Sequence, residues 1–487
     1  MSRVLIVAND VVSRRMAGPG IRCFEFAHQL SAAGHTVTLT SPRPSDLPPQ
    51  AFQLTVGTVP ALLRLAHEHD VVITQGTALE RYPFLREGGA RIVVDLYDPF
   101  PLALLEQFSA ETLPHRLLTH QGVLGTANAQ LRHGDFFLCA SEQQRDFWLG
   151  SLTALNRVNP HTHGADRTMR QLIDVVPFGI PDVPPAPDGP AARGVIPGIE
   201  PGDVLLLWGG GIYNWFDPLT LVRAVAAASR SQPRLRLLFL STTHPNPDVP
   251  SMWMEGQTRQ LADELGLTGR HVFFNESWVP YEERARWLCE ADAGVSTHFD
   301  HVETRFSFRT RILDYLWAGL PILCTRGDVL ADAVERHQLG LTVPPEDVPA
   351  TTTALERMVA NAVDRRAWGE EVRAYARRLT WSSAVGPLLA YCERPWPAAD
   401  LAAPGPRPAV PLGSAAGPGR SPGPLARELG RSWGGQALLE GRRLGSQAIA
   451  AWRTDGAAGV ALGLRKWARR RRPGSDPNGA DDPHVPR

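Results

Sequence analysis

The chain has 487 residues, of which 43% are hydrophobic and 21% charged, enough for two or three domains that each bury a core. Its 50 Lys and Arg balance 50 Asp and Glu, so nothing in the overall charge favours a nucleic-acid partner. The five cysteines (Cys23, Cys139, Cys289, Cys324 and Cys392) are widely spaced with no CxxC pair, which fits reduced thiols in a cytoplasmic protein rather than a disulfide framework or zinc site.

MSRVLIVAND runs straight into a strand, so no leader peptide is expected, and no apolar run reaches the roughly 18 residues that span a bilayer. Arg3 to Ala8 is a short apolar run of the kind that forms a buried parallel strand. A loop with Gly18-Pro19-Gly20 follows, then helical spacing from Ile21 to Ala33, a stop at Gly34-His35, and a second strand over Thr36–Thr40. The glycine loop lies at the first strand's carboxyl end, where α/β sheets bind ligands, although it lacks the GxGxxG fingerprint and also fits a tight turn. Further strands are expected at Val71–Thr74, Arg91–Leu96, Phe136–Ala140 and Asp174–Val176, with helices over Leu102–Phe108 and Glu142–Leu149. Asp95, Tyr97 and Asp98 follow the fourth of these strands, where either a site residue or a helix cap at Asp98 fits.

Beyond Pro181 a Pro/Gly/Ala-rich stretch reads as a linker between domains. The strand–helix rhythm then restarts: Val204–Trp208, a Gly209-Gly210-Gly211 loop, a helix over Pro218–Ser229, and strands at Leu235–Ser241 and His271–Phe274. Helices around Glu255–Leu265 and Glu282–Glu290 and a strand at Ala293–Ser296 lead into ETRFSFRTRILDYLWAGLPILCT, residues 303–325. There three arginines, Arg305, Arg309 and Arg311, precede a short helix, a turn at Gly319, and an apolar strand after Pro321. Arg311 and Asp314 share a helix face, as either a surface ion pair or the edge of a site for a ligand bearing phosphates and a ribose.

After about residue 395 the composition turns to Pro, Gly and Ala and cannot bury enough apolar surface to fold. Leu425, Leu429 and Trp433 then recur at helical spacing, and the chain passes through Arg465-Lys466-Trp467 to Arg469–Arg472. Such a basic, Trp-bearing segment suits either anionic lipid headgroups or a solvated tail.

Taken together, the two βα units resemble the GT-B architecture of nucleotide-sugar glycosyltransferases, and the motifs resemble its retaining family-4 (group 1) members. The carriers are Gly18-Pro19-Gly20 with Gly34-His35-Thr36-Val37, Ser141-Glu142, Val176-Pro177-Phe178-Gly179-Ile180, FNESWVPYEER over 274–284 with Ala291-Asp292, and Trp381-Ser382 before a last helix that crosses between domains. In the family's K-x-x-E-Y-x-x-x-G-x-P donor motif, Arg311 stands at the Lys, Asp314 at the Glu, and Tyr315, Gly319 and Pro321 match outright. Two departures stand out. Phe306 occupies the place of a further Glu, with Glu303 three residues upstream, and the GGGIYNWFDP loop lacks the usual cation pair.

The resemblance implies two Rossmann-like βαβ domains facing across a cleft: an acceptor domain over 1–185, a linker over 186–200, a nucleotide-sugar domain over 201–395, and a largely disordered basic extension over 396–487. It implies a metal-independent, hexosyltransferase-like enzyme with no cofactor beyond its nucleotide-sugar substrate. Transfer would retain configuration and go to a glycan, lipid-linked or metabolite hydroxyl, as in cell-envelope polysaccharide biosynthesis. A GT-B sugar-nucleotide epimerase or hydrolase, or a non-catalytic nucleotide-sugar-binding homologue, fits the same motifs. Catalytic roles fall to Arg309, Arg311 and Asp98, and donor contacts to Gly209, Gly210, Gly211, Asn214, Trp278, Val279, Glu303, Arg305 and Asp314. The acceptor falls to Gly18, Gly20, Arg22 and Tyr97. Without a cation in the Gly209 loop, the arginines and the loop's amides, taken to open a helix, would face the diphosphate.

Overall fold

Short apolar runs separated by amphipathic helices leave each strand buried on both faces, the condition for a parallel sheet. The computed structural model describes residues 1–403. Seven strands form the first sheet: β1 (Arg3–Val7), β2 (Thr36–Ser41), β3 (Gln53–Val56), β4 (Val71–Gln75), β5 (Arg91–Asp95), β6 (Phe136–Cys139) and β7 (Ile173–Val175). They run parallel in the order β3-β2-β1-β4-β5-β6-β7. Six more form the second: β8 (Val204–Trp208), β9 (Leu235–Phe239), β10 (Val272–Phe274), β11 (Ala293–Ser296), β12 (Ile322–Thr325) and β13 (Gly340–Val343). Their order, again parallel, is β10-β9-β8-β11-β12-β13. The strand order reverses beside β1 and beside β8, and at such switch points the loops splay apart and leave a crevice.

Every expected strand forms, within two residues at its ends. The edge strands β3 and β13 and the helices Val59–Glu68 and Leu113–His133 were not expected. The long helix lacks the periodic signature because its buried residues, Val123, Thr126, Ala127, Gln130 and Leu131, all fall in its second half. The helix after β1 starts at Gly18 rather than Ile21, since Pro19 pre-sets the φ of its first turn.

The stretch between the sheets is packed rather than a free spacer. Glu290 accepts the backbone N–H groups of Ala191, Ala192 and Arg193, and Ala192 and Ile199 are fully buried. After the second sheet the chain returns to the first. Ile180 N–H donates to Leu379 O and Ile180 O accepts from Trp381 N–H, and Gly179 lies so close that a Cβ there would sit 2.6 Å from the Trp381 backbone. On the helix Gly386–Glu393, Tyr391 stacks on Phe136 of β6 at 4.6 Å.

Residues 396–403, read as the start of the tail, belong to this packing: Trp396 Nε1 donates to Gln171 O, Ala398 is buried, and Asp400 pairs with the buried Arg157 at 2.6 Å. The basic segment that follows, with Arg469–Arg472, lies outside the described residues. No described helix is long and apolar enough to cross a membrane.

Candidate active site in the inter-sheet cleft

The loops at the carboxyl ends of both sheets face one cleft of about 430 Å³. The first sheet contributes Asn9 and Asp10 after β1, Ala17 and Gly18 at the start of the first helix, and Tyr97 and Asp98 after β5. From the second come Gly209–Gly211 after β8, Ser241, His244 and Asn246 after β9, Trp278 and Val279 after β10, and Glu303, Arg309, Arg311 and Asp314 after β11.

Arg311 opens the helix Arg311–Ala318 and is 7% exposed. Its guanidinium lies 4.1 Å from the Trp208 ring centre and 4.0 Å from that of Phe216, and Nη2 donates to Gly211 O at 2.8 Å. Nη1 is buried without a partner, and no carboxylate among the described residues pairs with the group. Burial pulls its pKa down to about 10, with Arg309 pushing the same way and Tyr315 opposing. A desolvated cation with an open donor is out of balance until an anion arrives.

Arg309 differs in being compensated. Its two terminal nitrogens donate to the two carboxylate oxygens of Glu303 at 3.1 and 2.7 Å, and its Nε lies 4.0 Å from Asp328. Asp328 in turn sits 3.2 Å from His298 Nε2, so a buried row of polar side chains surrounds Arg309. Asp314 accepts from Arg284 Nε at 3.0 Å, and Arg284 itself lies between the rings of Tyr281 and Trp317.

Across the cleft, Asp98 is half-buried, and its carboxyl is pushed up to about 7 by desolvation and then by the charge of Glu303, with Arg309 pulling the other way. Asp10 is buried and accepts from Asn246 Nδ2 at 2.7 Å, a bond that crosses between the sheets. Trp278 also bridges: its Nε1 donates to Met16 O at 3.1 Å, and its own carbonyl accepts from Arg15 Nε at 2.9 Å.

Of the expected site residues, Asp98, Arg309, Arg311, Gly209, Gly210, Gly211, Trp278, Val279, Glu303, Asp314, Gly18 and Tyr97 line this cleft. Four do not. Arg22 is fully buried, with bonds to both Asp95 oxygens at 2.7 and 2.9 Å and to Val176 O, so it holds β5 rather than a ligand. Gly20 is a packing glycine, since a Cβ there would lie 2.3 Å from Val11 O. Asn214 donates to Gln107 O and accepts from Met254 N–H, pinning a loop, and Arg305 is exposed outside the cleft lining.

The glycine loop is corrected too. The helix after β8 is capped by Asp217 and begins only at Pro218, seven residues beyond Gly211. The Gly209 N–H already donates to Tyr315 Oη, whose own O–H donates to Val295 O. Phe306, in the place of a carboxylate, packs on Phe147 at 5.2 Å while its carbonyl accepts from Gln144.

Asp10, His244, Asn246 and Arg284 were missed. Asp10 carried a signal as a carboxylate directly beyond a first strand, and Arg284 closes the FNESWVPYEER stretch; His244 and Asn246 reach the cleft through the placement of their loop. Among the described residues no group of three or more His, Cys, Asp or Glu side chains is arranged to hold a metal ion.

Residues 203–361 match the family model described as Glycosyl transferases group 1. The D-inositol 3-phosphate glycosyltransferase of Saccharomonospora viridis is 26% identical over 233 residues, covering 46% of this chain and 52% of that protein. The Nocardia farcinica protein of the same name is 27% identical over 237 residues, 48% of this chain and 49% of its own. The chain thus spans about half the length of the curated relatives it matches. Among solved structures, WaaG, a glycosyltransferase involved in lipopolysaccharide biosynthesis, superposes with a TM-score of 0.57 at 18% identity, covering 82% of this chain and 99% of that one. Anabaena HepE in complex with UDP-glucose gives 0.55 at 13% identity, with 80% and 98% covered. At these identities the likeness is one of fold, and the fold is GT-B.

Proposed function

We propose that this chain, whose residues 203–361 form a group 1 glycosyltransferase domain within a GT-B fold, moves a sugar from a nucleotide-sugar donor to an acceptor hydroxyl with retention of configuration. The observation that carries this reading is Arg311: a buried guanidinium at the cleft, with one nitrogen unpartnered and no carboxylate among the described residues to neutralise it. A diphosphate supplies the missing anion, and neutralising it matters most as the bond from the anomeric carbon to the phosphate oxygen breaks.

Arg309 is held by Glu303 and Asp328, so it reinforces the field without being free to move onto the ligand. Asp314, held by Arg284, takes the ribose, and Trp278 and Val279 flank the base. The acceptor oxygen bonds to the anomeric carbon on the face the diphosphate leaves, and its proton passes to the departing phosphate oxygen. Ionised Asp98 accepts a hydrogen bond from the acceptor and orients it. Arginine supplies the positive charge that such a step requires, which makes this a metal-independent reading. The basic segment ending at Arg472 is read as a peripheral contact with anionic lipid.

The experiment is calorimetric titration of UDP, GDP and ADP, followed by their sugars, into the full chain and into Arg311→Ala. At least one nucleotide should bind the parent, and the variant should bind it about tenfold or more weakly. Equal binding by both proteins, with circular dichroism unchanged, would remove Arg311 from the site and the reading with it.

A further inference from the structure

Charge is divided across the cleft. Among the described residues that line it, the three guanidinium groups, Arg284, Arg309 and Arg311, all come from the side of the second sheet. The first-sheet wall carries two carboxylates, Asp10 and Asp98, and no Lys or Arg among the described residues that line it. Arg22 lies beneath that wall, but it is fully buried and neutralised by Asp95, even though its Nη1 has no hydrogen-bond partner. Arg284 and Arg309 are matched to Asp314 and Glu303, which leaves Arg311 as the one uncompensated guanidinium among the described residues that line the cleft.

From this division we infer that the acceptor is a neutral hydroxyl compound, a sugar or polyol, and not a phosphorylated one. The inference rests on the glycosyl-transfer reading, in which the donor's diphosphate takes Arg311. A phosphate ester carries about −1.5 to −2 charges at neutral pH. On the first-sheet wall it would meet Asp10 and Asp98 with no cation left to receive it.

The charge of Asp10 is felt along this wall: after burial, Asp98, Asp95 and Asp10 all push the Tyr97 hydroxyl further up. The rest of the wall suits an uncharged ring. Tyr97 packs edge-on against Phe178 at 5.4 Å, and Phe178 stacks on Phe308 of the opposite wall at 6.1 Å. These rings give the wall an uncharged, apolar lining beside Asp98, whose carboxylate can take a hydroxyl.

The test uses the full chain and the nucleotide-sugar that it binds most tightly. Initial rates of nucleotide diphosphate release are compared for matched pairs: glucose with glucose phosphate, inositol with inositol monophosphate, and glycerol with glycerol phosphate. The neutral member should be the faster in each pair turned over, by about tenfold or more given like charges at close range. Asp10→Asn and Asp98→Asn should each narrow that ratio, whatever they do to the absolute rate.

A phosphorylated member that outpaces its neutral partner would overturn the inference, as would a ratio that neither variant moves. So would a panel in which no neutral acceptor is used although Arg311-dependent donor binding persists; in that case the donor reading survives. Loss of donor binding itself would instead sink the parent reading.

Discussion

Arg311 and Asp98 are both poorly solvated, and their consequences run in opposite directions. Replacing Arg311 by Met removes a buried donor that lacks a partner, so the ligand-free protein should melt no lower than the parent while nucleotide binding is lost. Differential scanning calorimetry with and without nucleotide separates that outcome from simple misfolding.

Asp98 holds its proton more tightly in the folded chain, up to about 7, than a carboxyl does in the unfolded one. Its contribution to stability is therefore complete below the ordinary carboxylate range and is lost as pH rises toward 7. Asp98→Asn should accordingly raise the melting temperature more at pH 8 than at pH 5, by differential scanning fluorimetry. Because the ionised form orients the acceptor, the parent's kcat/KM should climb through about pH 7. The Asn variant should be slower and flat over that range, as a pH–rate profile would show.

At the scale of elements, the cleft depends on how closely the helix Arg311–Ala318 lies on β11. A Cβ on Gly294 would fall 2.2 Å from the Tyr315 ring, so this strand position admits only glycine beneath that tyrosine. Tyr315 is fully buried, and its hydroxyl joins Gly209 to Val295, tying the glycine loop to the strand. Gly294→Ala should destabilise by about 1–3 kcal/mol through overpacking. Tyr315→Phe should cost a similar amount, about 1–3 kcal/mol, by leaving two buried backbone groups unpaired. Both are read as shifts in the urea midpoint at unchanged m.

Gly319, in the left-handed region at φ 69°, ends the helix so that Pro321 and β12 can follow. That turn was legible because its residue types carry their own conformational preferences. The bond between Tyr315 and Gly209 was not, since 106 residues separate its partners.

In the whole molecule the two sheets share a continuous apolar core. It runs from Val4 and Ile6 through Phe26, Phe178 and Trp381 to Leu205, Leu207 and Ile322. Residues 381–403 complete the first sheet although they follow the second in the chain. Tyr391→Ala should therefore cost about 3–5 kcal/mol and raise amide exchange in β6, whose Phe136 loses its stacking partner, before it raises exchange in β8.

The sequence by itself determined the alternation of strand and helix, the two parallel sheets and the arginine-bearing stretch, because hydrophobic period and turn residues act locally. Tertiary structure decided which charges are already spent. Arg22, Arg309 and Arg311 look alike along the chain, but Asp95 and Glu303 neutralise the first two, and no carboxylate among the described residues pairs with the third. Compensation of a charge depends on neighbours brought together by folding, and no spacing along the chain encodes it.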